Sequence, residues 1–162
     1  MKVLVCGGAG YIGSHFVREI VQVGYSVVVL DNLSKGMWSF ITLGHRESLP
    51  HGVDLELGDI SDPDRLDQVF KQHKPEAVFH FCAFIEVGES CVDPLKYYQN
   101  NVCATVTLLQ AMQRHNVSYF VFSSTAALFG LPEKIPIGEY DITIPKNPYG
   151  ETKLAVEKIL KW

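Results

Sequence analysis

The 162-residue chain lacks any apolar run long enough to cross a bilayer, and residues 1–5 lead straight into a glycine-rich turn, too short a run for a secretory signal. A membrane protein is therefore not expected, and the pattern reads as cytoplasmic. Positive charge is not in excess: 14 Lys and Arg against 18 Asp and Glu leave a formal net charge of −4. Without a basic stripe, neither nucleic acid nor an anionic membrane is expected as a partner. A small anionic ligand stays open, because helix N-termini and backbone amides hold phosphate without net positive charge. The four cysteines, Cys6, Cys82, Cys91 and Cys103, contain no Cys-x-x-Cys pair, and no histidine stands beside them at ligand spacing. No metal site is expected, and the thiols read as reduced and buried. Repeats, low-complexity tracts and linkers are also missing. With 47% apolar and 20% charged residues the composition is that of an ordinary folded domain.

What is present is an alternation of strand and helix. Strand-like runs stand at 3–6, 26–30, 53–57, 77–81 and 119–122, and most of them show no polar alternation, as in parallel strands covered on both faces. A helix after Gly7-Gly8-Ala9-Gly10 is predicted to turn Ile12, Phe16, Ile20 and Val23 to one face, with Gly24 closing it. Asp62-Pro63 opens a helix containing Leu66, Val69 and Phe70. Asp93-Pro94 opens a long one through Tyr97, Val102, Val106, Leu109 and Met112, and Pro148 opens a last one over 151–162. The expected fold is α/β, a doubly wound parallel sheet of Rossmann type in the order 3-2-1-4-5. That order leaves 119–122 as an apolar edge, which invites pairing. Residues 1–162 thus read as one incomplete domain, truncated after about five strands and the last helix, or else as a domain whose open edge another chain covers. Two loops, 34–50 and 130–148, are irregular. The second carries Pro132, Pro136, Pro145 and Pro148, and long ordered loops are more often functional than not.

The first turn carries the strongest signal. Gly8-Ala9-Gly10-Tyr11-Ile12-Gly13 fits Gly-x-Gly-x-x-Gly, and Gly7, Gly10 and Gly13 fit the related Gly-x-x-Gly-x-x-Gly spacing. Glycines permit the tight turn and a close backbone approach to a diphosphate, which the helix dipole and free N–H groups then stabilise. The pattern follows a strand, opens a helix and has an acid, Asp31, 18 residues beyond Gly13, where about 20 is expected. A carboxylate there accepts from the ribose hydroxyls of adenosine and repels a 2′-phosphate, which predicts NAD over NADP. Asp59, after the third strand, is a second acid suited to the adenine, or an ordinary loop residue before Asp62.

Tyr149-Gly150-Glu151-Thr152-Lys153 places Tyr149 and Lys153 one turn apart on a helix. A phenol titrates at about 10. An ammonium at about 5 Å in an effective dielectric of about 20 contributes roughly 3 kcal/mol, or about two pK units, toward a usable base. The hydroxyl cluster Ser123-Ser124-Thr125 falls at the carboxyl end of the fifth strand, where such sheets bind ligands.

These segments, with Asp31-Asn32-Leu33-Ser34, Gly58-Asp59-Ile60, Val87-Gly88-Glu89-Ser90, Asn100-Asn101-Val102 and Asn147-Pro148, resemble the extended short-chain dehydrogenase/reductases, most closely the UDP-glucose 4-epimerases. The resemblance spans the whole chain. It implies that Tyr11 and Ile12 hold the pyrophosphate; that Asp31, Asn32, Lys35 and Gly36 line the adenosine ribose; and that Asp59 and Ile60 meet the adenine. Phe81, Cys82 and Ala83 would pass beneath the cofactor, with Asn100 near it. Tyr149 would be the base, Lys153 would bind the nicotinamide ribose and lower the tyrosine pKa, and Thr125 would hydrogen-bond the sugar. In the implied reaction Tyr149 takes the 4-hydroxyl proton of a UDP-hexose while C4 gives hydride to NAD. The 4-keto sugar then turns over and is reduced on its other face. The helices at 94–115 and 149–162 either form a homodimer interface, as the resemblance implies, or simply cover the sheet.

Two positions depart from the family pattern: the third hydroxyl, often Ser, is Thr125, and a lysine often found after the fourth strand is Ile85. Family members also run to about twice this length, with a UDP-sugar-binding part that has no counterpart here. A sugar-nucleotide 4,6-dehydratase or decarboxylase remains open as an alternative, although Ala126 and Ala127 stand where those enzymes place an acid. So does an NAD-binding fragment that turns nothing over, and the chain alone is expected to be inactive.

Overall fold

The five expected strand segments become parallel strands: β1 (Lys2–Cys6), β2 (Ser26–Asp31), β3 (Val53–Leu57), β4 (Ala77–His80) and β5 (Tyr119–Phe122). In the computed structural model, which describes residues 1–42, 49–132 and 134–162, they pair in the order β3-β2-β1-β4-β5. Six residues of the 34–50 loop and one of the 130–148 loop lie outside the described set. The register runs Cys6↔Leu30, Cys6↔His80 and Asp31↔Leu57 at the carboxyl ends, so Asp31 belongs to β2 and does not merely follow it. β4 ends one residue sooner than the apolar run, at His80.

The chain divides into two compact units, residues 1–82 with 106–123, and residues 83–105 with 124–162. The first holds the sheet. Val3, Val5, Val27, Val29, Val53 and Ala77 form one buried face with Ala9, Val17 and Ile41, while Leu4, Val28 and Val78, pointing the other way, are equally buried. Both faces are thus covered, which is why β1 and β2 carry no polar alternation, whereas β3, at the edge, alternates Val53, Leu55 and Leu57 with Asp54 and Glu56.

Helix α1 (Tyr11–Gln22) buries Gly13, Ser14 and Val17, with Phe16 and Ile20 packed partly against the core. The face predicted from Ile12 to Val23 is therefore shifted. Small residues bring the helix close to the sheet, and Ile12 and Val23, at its two ends, are exposed. Helix α2 (Pro63–His73) begins where Asp62 accepts from the N–H groups of Asp64 and Arg65 at 3.0 Å, with Pro63 in the first turn. It buries Leu66, Val69 and Phe70, each contributing about 1.5–3 kcal/mol. Asp67 on α2 accepts from Arg114 and pairs with His115 at 3.0 Å, and the His115 ring stacks on Phe70. At the sheet edge Tyr119 and Val121 of β5 are exposed.

The second unit contains α3 (Val87–Val92), which the sequence pattern did not reveal. It also contains α4 (Pro94–Tyr97), continued by a π-helical segment (Tyr98–Cys103) into the start of α5 (Ala104–Arg114), a 3-10 turn (Ala126–Phe129), and α6 (Pro148–Leu160). The predicted long helix after Asp93 is thus interrupted by a wider turn, and its buried face moves. Tyr97, Asn101, Ala104, Thr105, Leu108, Ala111 and Met112 are buried, whereas Val102, Val106 and Leu109 are only partly so. The thiols are also corrected: Cys6 is buried, but Cys91 and Cys103 are exposed and Cys82 is half-buried. No helix among the described residues is long and apolar enough to cross a membrane.

Candidate functional site

Glycine chemistry sets the geometry of the turn after β1. Gly7 has φ +77°, a conformation L side chains rarely adopt, and a Cβ on Gly13 would lie 2.2 Å from the Gly7 carbonyl oxygen. Gly10 is the N-cap of α1 and offers no side-chain cap. The helix therefore begins with backbone N–H groups free of any side-chain partner, the arrangement that stabilises an anion. Tyr11 and Ile12, at the first two helical positions, are both exposed. Together with His15, Phe16, Glu19 and Phe81 they line an open depression of about 400 Å³.

Asp31 closes the turn from the neighbouring strand. Its Oδ2 accepts from Ala9 N at 2.9 Å and its Oδ1 from Leu33 N at 2.8 Å. Each carboxylate oxygen carries about two lone-pair sites, so one acceptor position per oxygen remains after both backbone bonds are made. Beyond Asp31, Asn32 Oδ1 accepts from Ser34 N, and Asn32 Nδ2 donates to Asp59 Oδ2 at 2.6 Å. Burial raises the Asp59 carboxyl, but hydrogen bonds from Ser61 and Asn32 outweigh it and hold the group below the ordinary aspartate range. Met37 N donates to Ala9 O at 2.9 Å, and Gly36 lies tight against Ala9, so the segment with Lys35 and Gly36 docks on the glycine turn. Ile60 is buried, Lys35 is exposed, and Phe81 and Cys82 are half-buried after β4. Within this unit the candidates thus gather at the carboxyl ends of β1, β2, β3 and β4.

The second unit holds Ala83, Asn100, Thr125, Tyr149 and Lys153. Asn147 caps α6 by accepting from Gly150 N at 2.8 Å, and Pro148 takes the first helical position, where its missing N–H costs nothing. Tyr149 and Lys153 both lie on the buried side of α6, Lys153 only 3% exposed. Lysine is buried that deeply only when its ammonium is matched by partners. Thr125 Oγ1 accepts from Ala127 N at 3.2 Å, capping the 3-10 turn, and its own proton remains to be donated. That turn packs on α6 where a Cβ on Gly150 would come within 2.7 Å of the Ala127 carbonyl oxygen.

Three polar residues not assigned a role by sequence support this helix. Ser90 Oγ accepts from Tyr149 N at 3.2 Å and donates to Val87 O at 2.7 Å. Thr152 Oγ1 donates to Tyr149 O at 2.7 Å and accepts from Asn101 Nδ2 at 3.1 Å. Asn101, next to the expected Asn100, is almost completely buried. Beside them Tyr97 donates to Glu89 Oε2 at 2.9 Å, and Lys96 pairs with the other carboxylate oxygen. Burial, then the Glu89 bond and charge, push the Tyr97 phenol up to about 12.

The family model described as GDP-mannose 4,6 dehydratase matches residues 4–162. The UDP-glucose 4-epimerase of Halalkalibacterium halodurans is 51% identical over 162 residues, all of this chain and 46% of that protein. The crystal structure of UDP-glucose 4-epimerase from Brucella ovis in complex with NAD superposes with a TM-score of 0.90 at 44% identity, covering 99% of this chain and 46% of that one. The enzyme from Stenotrophomonas maltophila, with bound NAD and formylated UDP-arabinopyranose, gives 0.93 at 40% identity over 99% and 48%. The chain spans about half the length of the curated relatives it matches. It belongs to the family that the GDP-mannose 4,6 dehydratase model describes, and within that family it corresponds to the N-terminal half of the UDP-glucose 4-epimerases.

Proposed function

We propose that residues 1–162 are the NAD-binding, proton-transferring part of an enzyme that interconverts UDP-glucose and UDP-galactose. The observation that carries this reading is the identity of about half with UDP-glucose 4-epimerases along the entire chain. Ala126 and Ala127 favour epimerisation over 4,6-elimination, although the family model bears a dehydratase's description.

The residues fit NAD. The uncapped start of α1 suits a diphosphate, with Gly7, Gly10, Tyr11, Ile12 and Gly13 around it. Asp31 retains acceptor positions for ribose hydroxyls and opposes a 2′-phosphate. Asn32, Lys35, Gly36, Asp59, Ile60, Phe81, Cys82, Ala83 and Asn100 complete the assignment. When bound, NAD supplies reversible hydride acceptance at the sugar carbon. Tyr149 removes and returns the 4-hydroxyl proton, Lys153 steadies the phenolate by charge, and the Thr125 hydroxyl holds the sugar. The UDP-sugars bound in neighbouring structures support a UDP-sugar substrate, and a homodimer through the helices at 94–115 and 149–162 is the assembly we propose from the sequence resemblance.

Mass spectrometry of the purified chain, native and then denaturing, tests the cofactor assignment. Co-purified NAD is the expected result, and soluble monodisperse protein that neither carries nor binds NAD would end the reading. An epimerase assay on the chain alone, and mixed with the C-terminal half of a relative, separates catalysis from mere NAD binding. We expect no turnover from the isolated chain and conversion of UDP-galactose only in the mixture.

A further inference from the structure

Cys6 is the last residue of β1 and is wholly buried. The strand register pairs it with His80, and Phe81 N donates to Cys6 O at 2.8 Å, so the chain leaving β4 runs along the end of β1. One step further the approach tightens: a Cβ on Gly7 would lie 2.6 Å from Cys82 N and 2.8 Å from Cys82 Cα. The residue after Cys6 is thus in backbone contact with Cys82 itself. A hydrogen bond with the Cys82 thiol, then burial, then the charges of Cys82 and Asp31, push the Cys6 thiol well above its ordinary value, so Cys6 stays protonated at neutral pH. Bridged cysteines need Cα atoms roughly 4.4–6.8 Å apart, a separation that this contact and the thiol hydrogen bond bring within reach.

We propose that Cys6 and Cys82 form a thiol pair that a hydroperoxide oxidises to an intramolecular disulfide at the carboxyl ends of β1 and β4. The two sulfurs differ in access, because Cys82 is half-buried and Cys6 is sealed. Cys82 therefore meets the oxidant first. Its sulfur attacks the peroxide, an S–O bond forms, the O–O bond breaks, and Cys82 becomes a sulfenic acid as water leaves. The Cys6 sulfur then attacks Cys82 sulfur, the S–S bond forms and the S–O bond breaks. The Cys6 proton leaves with that oxygen as a second water. Two thiols are oxidised by two electrons and one hydrogen peroxide is reduced to two waters.

The test uses the whole reduced chain, treated with one equivalent of hydrogen peroxide, quenched with an alkylating agent and mapped by peptide mass spectrometry. The expected product is lighter by two hydrogens, cross-linked between Cys6 and Cys82, and restored by dithiothreitol. Cys82→Ser abolishes the cross-link, and the double variant Cys91→Ser/Cys103→Ser retains it. Oxidation confined to Cys91 and Cys103, or a cross-link through either of them, overturns the proposal. Mapping the unsubstituted chain decides the matter even where a variant at Cys6 fails to fold. A further arm compares the chain stripped of co-purified NAD with the chain reloaded with NAD, and rests on the cofactor assignment above. Bound NAD is expected to slow cross-linking several-fold, and equal rates with and without it support the dithiol while counting against placing Cys82 beneath the cofactor.

Discussion

Asn101 Nδ2 donates to Thr152 Oγ1 at 3.1 Å, tying the π-helical segment to α6 across 51 positions of sequence. The same amide donates to Phe84 O at 3.0 Å and accepts at Oδ1 from Phe84 N and Asn100 Nδ2, both at 2.9 Å. An asparagine side chain has two donors and two acceptor sites, and here all four are used. Thr152 passes the connection on to the Tyr149 carbonyl. The position of the Tyr149 turn therefore depends on a residue that shares neither its helix nor its chemistry.

Asn101→Ala leaves the Phe84 N–H and C=O and the Thr152 hydroxyl short of a partner in a buried place. Each unsatisfied buried group costs about 1–3 kcal/mol, with partial relief by relaxation. A loss of about 2–4 kcal/mol is expected, read as a lower urea midpoint at unchanged slope. Thr152→Val, which keeps the shape and loses the hydroxyl, is expected to cost less. An Asn101→Ala chain as stable as the parent would show the network to be dispensable.

Gly13→Ala tests the cofactor turn. The added methyl would sit 2.2 Å from the Gly7 carbonyl oxygen and 2.8 Å from Gly8 Cα, with backbone on both sides and nothing flexible to yield. Overpacking of this kind costs about 1–3 kcal/mol, and the turn must shift to relieve it. The expected outcome is a lower melting temperature together with loss of co-purifying NAD. Full NAD retention by a folded Gly13→Ala chain would contradict the assignment of this turn to the diphosphate.

The sheet was legible because β1, β2 and β5 are apolar runs and β3 alternates with a period of two, and the glycine turn because Gly7, Gly10 and Gly13 each meet a physical need. The helices were less so. Spacing alone could not show that α1 packs through Gly13, Ser14 and Val17, because small residues carry little weight in an apolar pattern. The π segment hid Asn101, but a signal existed: Tyr97, Asn101, Ala104, Leu108 and Ala111 step by four and three, with asparagine in an apolar slot. Cys91 and Cys103 were misread because cysteine's general tendency to be buried stood in for their helical positions.

At the sheet's other edge, Glu56 on β3 accepts from Arg65 and Gln72 and hydrogen-bonds with His73. Burial would raise its carboxyl, but the hydrogen bonds and charges of His73 and Arg65 hold it below the ordinary glutamate range. A depressed folded-state value stabilises the protein above the unfolded value of about 4.3, and that stability is lost as pH falls through the folded value. Denaturant midpoints are therefore expected to fall between pH 5 and pH 3, more steeply in the parent than in Glu56→Gln. Parallel acid limbs would remove Glu56 as a contributor.

Tyr97 predicts the opposite limb. It is fully buried against Phe84, donates to Glu89, and titrates at about 12, above the unfolded value of about 10. A raised folded-state value means the native chain holds the proton more tightly. The associated stability is complete below about pH 10 and is lost as pH rises from there through about 12. Tyr97→Phe keeps the ring and removes the titration. At neutral pH it is expected to cost about 0.5–1.5 kcal/mol, the net worth of one hydrogen bond, or somewhat more because the acceptor is charged. Above pH 10 the variant should lose stability more slowly than the parent, so the two curves converge. Thermal melts at pH 7, 10 and 11 separate the outcomes, and a constant gap across that range would mean that Glu89 does not hold the phenol proton.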